Sequence, residues 1–415
     1  MKETFRALRG RDFRIYFAGQ VVSLIGTWVQ QVAMSWITYR VTGSAFMLGL
    51  IAFSGQIPML LVSPVGGALA DRLERRDILL FTQVAAMAVA AWLAFVSYTE
   101  SFSPAILVVS SILMGVTGGL EMPTRQAFLM EIVHDQSHRT NAIALNSLTF
   151  NGARLVGPAA SGAILYLLSE TACFVINAVS FLAAIYTLLV IRPRRAERRR
   201  PGAAWGGLSY LREFAPARWL LGTVAATSLC ISPFMTFMPV YAKDVFRGGP
   251  DALGLLMGAS GLGAVLVSVF LATRESLAGS GARIAGACFA CGLASMAFAY
   301  NPFLWSALPI LMVSGGATIM VVTSCNMLLQ HLVPESLRGR VMALYTMSFV
   351  GMMPVGSLLT GALAHVVGVH LVFVLSGMVA VATGYAVTRA LPALRAQAKP
   401  VLEERNFAGK EAHGE

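Results

Sequence analysis

Long apolar stretches recur along the whole chain and decide what it can fold into. About twelve segments of some 20 mostly apolar residues are separated by short polar turns. Only 12% of the residues are charged and 56% are hydrophobic, whereas a soluble domain has about 25% charged residues. Backbone polar groups in lipid must be paired within the segment, so runs of this length predict helices. We therefore expect an all-α, polytopic membrane protein with twelve transmembrane helices. The expected spans lie near 13–39, 46–70, 78–98, 104–122, 139–168, 171–191, 218–242, 251–273, 283–300, 302–329, 337–365 and 369–390.

The basic residues predict how the spans are oriented. With the N-terminus inside, most Lys and Arg residues fall in the cytoplasmic segments, and the opposite side receives only Arg40, Lys243 and Arg247. By the positive-inside rule, this bias predicts that both termini are cytoplasmic. The expected location is a cell membrane crossed many times, taken as the inner membrane of a bacterium. The same distribution accounts for the net charge of +11 without a nucleic-acid partner.

The longest polar break, an Arg-rich stretch, predicts two halves. We expect a six-helix bundle over 1–191, a basic linker over 192–217, a second six-helix bundle over 218–392 and a disordered cytoplasmic tail over 393–415. Short patterns recur roughly 200 positions apart, as in Leu-Gly-Leu at 48–50 and again at 253–255. A duplicated unit of this kind predicts two pseudo-symmetric bundles with a substrate cavity between them.

Polar residues recur on one face of the first predicted helix, from Tyr16 to Thr38, within an arc of roughly 100°. Amides facing lipid would be left without partners, so the stripe must face protein or water. Helix–helix hydrogen bonding is one interpretation, and the wall of a substrate cavity is the other. The length of the stripe favours the cavity. Its proposed members are Gln20, Ser23, Thr27, Gln30 and Gln31.

Two further helices carry candidate cavity residues. On the fifth, Asn146, Phe150 and Arg154 share an arc of roughly 80°. An arginine costs about 2.5–3.5 kcal/mol at mid-membrane, so Arg154 must face a cavity or a partner, or reach the surface. It is a candidate for substrate contact or coupling. On the eleventh, the candidates are Tyr345, Phe349 and Met352, because aromatic and Met-rich walls adapt to varied apolar ligands. Core packing is the simpler alternative there.

A dense group of charges stands between the second and third apolar runs, and it must lie at the membrane surface. Its main members are Gly67, Asp71, Arg72, Arg75 and Arg76. The pattern G-x-L-x-D-R-x-x-R-R resembles the signature loop between helices 2 and 3 of the major facilitator superfamily of transporters. Glu74 stands where that family usually has glycine.

Two other segments extend the resemblance. Gly152, Gly157, Pro158 and Gly162 resemble the helix 5 motif of proton-coupled antiporters in this superfamily. The segment 121–128 and the residues after it resemble the helix 4–5 loop of the exporter branch that contains the enterobactin exporter and drug-efflux proteins. The resemblance implies alternating access, with Asp71 as part of a latch against the N-terminus of helix 11. We also expect the loop arginines to pair with Glu131 or Asp135.

These features predict a secondary active exporter of a small, moderately apolar molecule of the drug or siderophore type. Proton antiport is one option for coupling, and Glu121, expected at the cytoplasmic end of helix 4, is the nearest titratable candidate. The alternatives are an uncoupled facilitator of lipid-like or other solutes and a receptor or scaffold that transports nothing. The sequence has no nucleotide loop, metal-ligand set or nucleophile triad, so we expect no enzyme, metal or cofactor. The expected partners are the substrate, membrane lipids and, with antiport, protons. We expect a functional monomer.

Overall fold

The chain is almost entirely helical wherever its structure is described. The computed structural model describes residues 6–133, 136–191, 214–273 and 279–413. Within these ranges the regular elements are all helices, as predicted, and no strand is present. The first six long helices are α1 (Arg11–Thr42), α2 (Ala45–Arg72), α3 (Arg75–Tyr98), α4 (Pro104–Ile132), α5 (Gln136–Leu167) and α6 (Glu170–Val190). The next are α7 (Ala215–Thr236), α8 (Pro250–Ala272), α9 (Ser280–Ala299), α10 (Leu304–Leu332), α11 (Glu335–Thr346, the π-helical turn Met347–Gly351 and Met352–Val367) and α12 (Val369–His413).

Local chemistry explains where these helices begin and end. Gly43 has a φ of 58°, a left-handed conformation that glycine adopts without strain, and it closes α1. Ser44 then accepts a hydrogen bond from the Met47 amide and opens α2. Ser103 and Ser169 cap α4 and α6 in the same way. The turns between these helices are therefore short, as the polar breaks in the sequence predicted.

Most of the described helices can cross a bilayer by length and composition. Nine qualify on both counts: α2, α3, α4, α6, α8, α9, α10, α11 and α12. Two of the other long helices, α1 and α5, carry more polar residues, which lowers their hydropathy. In α1 the polar residues are those of the predicted stripe, and in α5 they surround the predicted glycine motif.

The described chain divides into two compact units. One is drawn from Met1–Arg200 and Thr236–Gly258, and the other from Pro201–Met235 and Ala259–Glu415. The segment Thr236–Gly258 follows α7 in sequence but packs with the first six helices. Two contacts hold it there. Gly254 approaches Gly162 of α5, and Asp244 accepts a hydrogen bond from the Tyr39 hydroxyl of α1.

In the first unit, a group of apolar side chains from five helices forms the core at the end of α1 that contains its N-terminus. Tyr16 of α1, Leu79 of α3, Phe128 of α4, Leu145 of α5 and Leu188 of α6 belong to it. The remaining helix, α2, packs closely along α4. This core fixes the relative rotation of α1 and α4, which carry the candidate site.

In the second unit, α9 packs against both α10 and α12. Its core includes Cys288 of α9, Val321 of α10, Tyr345 of α11 and Val387 of α12. Helix α11 widens into a π-helical turn at Met347–Gly351, just before Pro354. Proline has no amide hydrogen to donate and commonly forces such an adjustment.

Three elements differ from the sequence predictions. Helix α4 continues to Ile132, so Glu121 and the segment expected as a loop lie within the helix. A carboxylate and a guanidinium four residues apart pair within that segment, which lets the helix carry charge past the predicted end. Helix α7 ends at Thr236. A short helical turn and then a π-helical turn that ends at Val245 follow it. Helix α12 runs to His413, past the predicted end at 390, because the added segment is rich in good helix formers.

Candidate functional site

A charged pair lies inside the first unit, on α4. The Arg125 guanidinium and the Glu121 carboxylate are 3.0 Å apart, and their side chains are only 15% and 17% exposed. Glu121 lies eleven residues before the end of α4, which is about 16 Å along the helix axis. Glu121 therefore lies inside α4 and not at its end, where the sequence analysis expected it. Sequence reasoning missed Arg125 because it assigned this segment to a loop.

The polar stripe of α1 meets this pair. Arg125 also donates to the Gln20 amide oxygen, with Nη1 and Oε1 3.4 Å apart. Tyr16, one turn before Gln20, packs its ring against Phe128 with centroids 5.8 Å apart. Together, Tyr16, Gln20, Glu121 and Arg125 form the α1–α4 polar site.

The Tyr16 hydroxyl is the unusual member of this site. The residue is 1% exposed, and its hydroxyl has no hydrogen-bond partner among the described residues. A buried hydroxyl without a partner costs about 1–3 kcal/mol. The sequence placed Tyr16 in the polar stripe but gave no reason to single it out.

The other stripe residues have different surroundings. Ser23 is buried, and the Thr27 hydroxyl donates to the Ser23 carbonyl oxygen at 2.9 Å. Gln30 is 3% exposed and accepts a hydrogen bond from the Asn177 amide of α6 at 2.7 Å. Gln31, the next residue, is exposed. Within the stripe, Gln30 thus makes a helix–helix hydrogen bond, whereas the Gln31 side chain is exposed.

The signature loop is tied to its own unit through its arginines. Arg75 contacts the Glu131 carboxylate at 2.7 Å and donates to the Ala70 carbonyl at the end of α2 at 3.2 Å. The predicted pairing of a loop arginine with Glu131 is confirmed. Asp135, the other predicted partner, lies outside the described residues. Arg76 donates to the Leu189 carbonyl oxygen at the end of α6 at 3.0 Å.

The remaining loop residues are less enclosed. Asp71 is half-buried in the last turn of α2 and Arg72 is exposed. Gly67 is half-buried, and a Cβ there would come within 4.0 Å of the Pro123 ring.

The helix 5 motif brings α5 close to two neighbours. A Cβ at Gly157 would clash with the Trp28 side chain of α1, and one at Gly162 would lie 2.8 Å from the Gly254 Cα. Gly152, in contrast, faces open space. Pro158 is buried within the helix. The motif therefore allows close helix packing at two of its three glycines.

The predicted cavity residues of α5 are Asn146, Phe150 and Arg154. The side chains of Phe150 and Arg154 lie outside the described part of the structure, and Asn146 is half-buried.

In the second unit, the Tyr345 hydroxyl donates to the Val322 carbonyl oxygen of α10 at 2.8 Å. Phe349 lies within the π-helical turn of α11 and Met352 directly follows it, and both are half-buried. A π-helical turn inside an α-helix is frequently associated with function. This turn therefore favours the predicted α11 residues as candidate ligand contacts.

No group of three or more His, Cys, Asp or Glu side chains suited to a metal ion occurs among the residues that the structure describes. The five cysteines are free and buried.

The fold matches solved transporter structures along nearly its full length. A crystal structure of the nucleoside transporter NupG superimposes with a TM-score of 0.73 at 12% sequence identity, covering 92% of this chain and 99% of that one. This likeness confirms the predicted fold class, twelve transmembrane helices in two pseudo-symmetric six-helix bundles.

The sequence comparisons identify the family. A family model described as "transmembrane secretion effector" matches residues 2–410, and the chain belongs to this family of the major facilitator superfamily. The staphyloferrin A transporter of Staphylococcus aureus is 24% identical over 370 residues, covering 88% of this chain and 92% of that protein. The multidrug efflux pump Tap of Mycolicibacterium fortuitum is 26% identical over 380 residues, with the same two coverages. The family and these relatives are transporters, not enzymes.

Proposed function

We propose that this protein is a secondary active exporter of a small, moderately apolar molecule of the drug or siderophore type. The α1–α4 polar site is the observation that carries the proposal. A carboxylate and a guanidinium that are both largely shielded within a membrane bundle are costly to maintain and are characteristic of substrate or ion pathways. The kinds of molecule are suggested by the relatives, one a siderophore transporter and the other a multidrug efflux pump.

Export against a gradient requires an energy source, and we propose proton antiport through Glu121. The Glu121 carboxylate is ion-paired with Arg125 inside the bundle, and carboxylates within membrane bundles commonly form proton relays. Arg154, on α5, remains a second candidate for coupling or substrate contact. The cavity wall is proposed to combine the α1 stripe with Asn146 and Phe150 of α5 and with Tyr345, Phe349 and Met352 of α11.

The cycle is proposed to be alternating access, in which a central cavity opens to each side of the membrane in turn. Asp71, at the end of α2, would belong to a latch that closes the cytoplasmic side. The proposed topology has both termini in the cytoplasm of a bacterial inner membrane, with the domain boundaries predicted from sequence. We propose that the monomer is the working unit and that the basic linker over 192–217 contacts lipid headgroups.

The experiment uses purified protein in lipid vesicles that contain a fluorescent, moderately apolar dye. With a pH gradient imposed, we expect the dye to move uphill, and Glu121→Gln to abolish the uphill movement. Equilibration of the dye that ignores the gradient would select the facilitator alternative. No flux for any dye or siderophore, from protein shown to be folded, would favour the receptor or scaffold and overturn the proposal.

A further inference from the structure

One oxygen atom of the α1–α4 polar site, the Tyr16 hydroxyl, has no hydrogen-bond partner in the described part of the structure. Arg125 is bonded to Glu121 and contacts Gln20. The Tyr16 hydroxyl, one turn away on the same face of α1, is fully buried and without a hydrogen-bond partner. Folding rarely leaves such a group unpaired in a single-state site, because its desolvation is not compensated. The unpaired oxygen therefore indicates a second arrangement in which it has a partner.

Protonation of Glu121 would create that second arrangement. A neutral carboxyl group no longer balances the Arg125 charge, and a buried guanidinium cannot give up its own proton. The cation must then find other acceptors within the bundle. Gln20 Oε1 is already at 3.4 Å from Arg125. The Tyr16 hydroxyl, one helical turn before Gln20 on α1, has no hydrogen bond to lose.

No competing charge occupies the middle of the neighbouring helices. The helices packed against α4 are α1, α2 and α3. Apart from Tyr16, their titratable side chains all lie in the first or last turn of each helix. On α2 these are Asp71 and Arg72, and on α3 they are Arg75, Arg76, Asp77 and Tyr98. At the level of Glu121, α2 presents Met59, Val62 and Gly66 to α4.

We propose that Tyr16 and Gln20 form an alternative acceptor site that holds the Arg125 guanidinium when Glu121 is neutral. This inference rests on the proposed function, because it describes how Arg125 keeps hydrogen-bond acceptors while Glu121 carries the transported proton. The Tyr16 and Gln20 oxygens accept hydrogen bonds from Arg125, so the buried cation keeps partners in both states. Tyr16 is thus a positioning residue that acts through Arg125.

A double-mutant cycle on the full-length protein tests the proposal without a substrate. Glu121→Gln stands in for the neutral carboxyl group, and Tyr16→Phe removes only the hydroxyl. In the wild-type background, Tyr16→Phe should leave the apparent Tm unchanged or slightly higher, because it deletes a polar group without a partner. In the Glu121→Gln background, the same change should lower the apparent Tm by about 3 °C, because Arg125 loses an acceptor.

Matched controls separate this role from simple packing. Tyr186→Phe removes a hydroxyl from a residue of α6 that is 64% exposed and should have no effect in either background. Gln20→Met keeps the side-chain length and should again be more harmful beside Glu121→Gln than in the wild-type protein. Equal effects of Tyr16→Phe in both backgrounds would overturn the proposal.

A second measurement covers the case in which Glu121→Gln does not fold. Infrared difference spectra of the wild-type protein, recorded between neutral and acidic pH, should contain a tyrosine band that Tyr16→Phe removes. Spectra without a band sensitive to Tyr16→Phe would also overturn the proposal. Uphill dye transport is measured independently of this double-mutant cycle. If the effects of Tyr16→Phe and Glu121→Gln on the apparent Tm simply add, the alternative acceptor site is rejected, whereas the proposed exporter function is not affected.

Discussion

Two neighbouring glutamines on α1 differ completely in their surroundings. Gln30 is buried and hydrogen-bonded to Asn177 of α6, whereas Gln31 is exposed. Both belong to one stripe in the sequence, and the helical period alone assigns them the same role. The pairing could not be predicted because it depends on how α6 is rotated against α1. That rotation is set by contacts such as Gly26 of α1 against Ser180 of α6.

Replacing these two residues should separate stability from transport. Gln30→Leu leaves the buried Asn177 amide without its acceptor, a loss of about 1–3 kcal/mol, and we expect a lower apparent Tm in detergent. Gln31→Leu should leave the apparent Tm unchanged and reduce dye transport in vesicles. A lower Tm for the Gln31 variant alone would mean that the two roles have been assigned the wrong way round.

The charged loop allowed a more specific prediction at the residue scale. Its density of arginines predicted acidic partners nearby, and Arg75 is paired with Glu131 at 2.7 Å. Sequence could name this partner because the two residues belong to neighbouring polar segments at the same membrane surface.

Breaking this pair should destabilise the first unit. Arg75→Ala leaves the mostly buried Glu131 carboxylate without its guanidinium, which typically costs about 3–5 kcal/mol. It also removes the hydrogen bond to the Ala70 carbonyl that ends α2. Thermal unfolding of the purified variant measures the loss. Arg72→Ala, three residues away on an exposed position, is the control, and an equally large loss there would argue against a specific role for Arg75.

At the scale of elements, the glycines of α5 are not equivalent. Gly162 lies against the Gly254 backbone, while Gly152 faces open space. A sequence motif marks all of them alike, since glycine spacing does not reveal which neighbour each one faces. The structure therefore assigns close packing to Gly157 and Gly162 only.

Alanine substitutions should act in opposite directions along this helix. Gly162→Ala places a Cβ 2.8 Å from the Gly254 Cα, so we expect a lower apparent Tm and a lower yield of folded protein. Gly152→Ala should raise the Tm or leave it unchanged, because alanine favours a helix by about 1 kcal/mol where nothing obstructs it. Equal losses at both positions would contradict the packing described for Gly162.

Helix limits were predicted well where apolar runs end in turn residues and poorly where helices continue through charge. Helix α2 ends within two residues of its predicted end. Helix α4 runs ten residues past its prediction, since the Glu121–Arg125 pair neutralises charge within the helix. Hydropathy counts Glu121 and Arg125 as two separate charges. It contains no information that the two side chains form an ion pair with each other.

At the scale of the whole molecule, the fold class followed from the sequence because it depends on the number and length of apolar runs. The grouping of Thr236–Gly258 with the first six helices did not follow. That grouping depends on individual contacts, such as the hydrogen bond from Tyr39 to Asp244, between residues about 200 positions apart. A repeat pattern cannot predict contacts of this kind.

The proposed latch at Asp71 would close the cytoplasmic side of the whole molecule. Asp71→Asn removes the carboxylate charge at the end of α2 while keeping the side-chain shape, so we expect less dye transport with normal expression. Insertion is checked by the amount of protein in purified membranes, and flux is measured in vesicles at matched protein content. Wild-type flux from a well-inserted Asp71→Asn protein would count against the latch.

Alternating access itself is tested most directly by labelling a cysteine at Gln31. The five native cysteines are buried, so a membrane-impermeant thiol reagent should modify little else. We predict that Gln31→Cys is labelled when the reagent is added to either side of the membrane, because in the proposed cycle the cavity wall would open to each side in turn. Labelling from one side only, or from neither, under conditions that support dye transport would contradict the account.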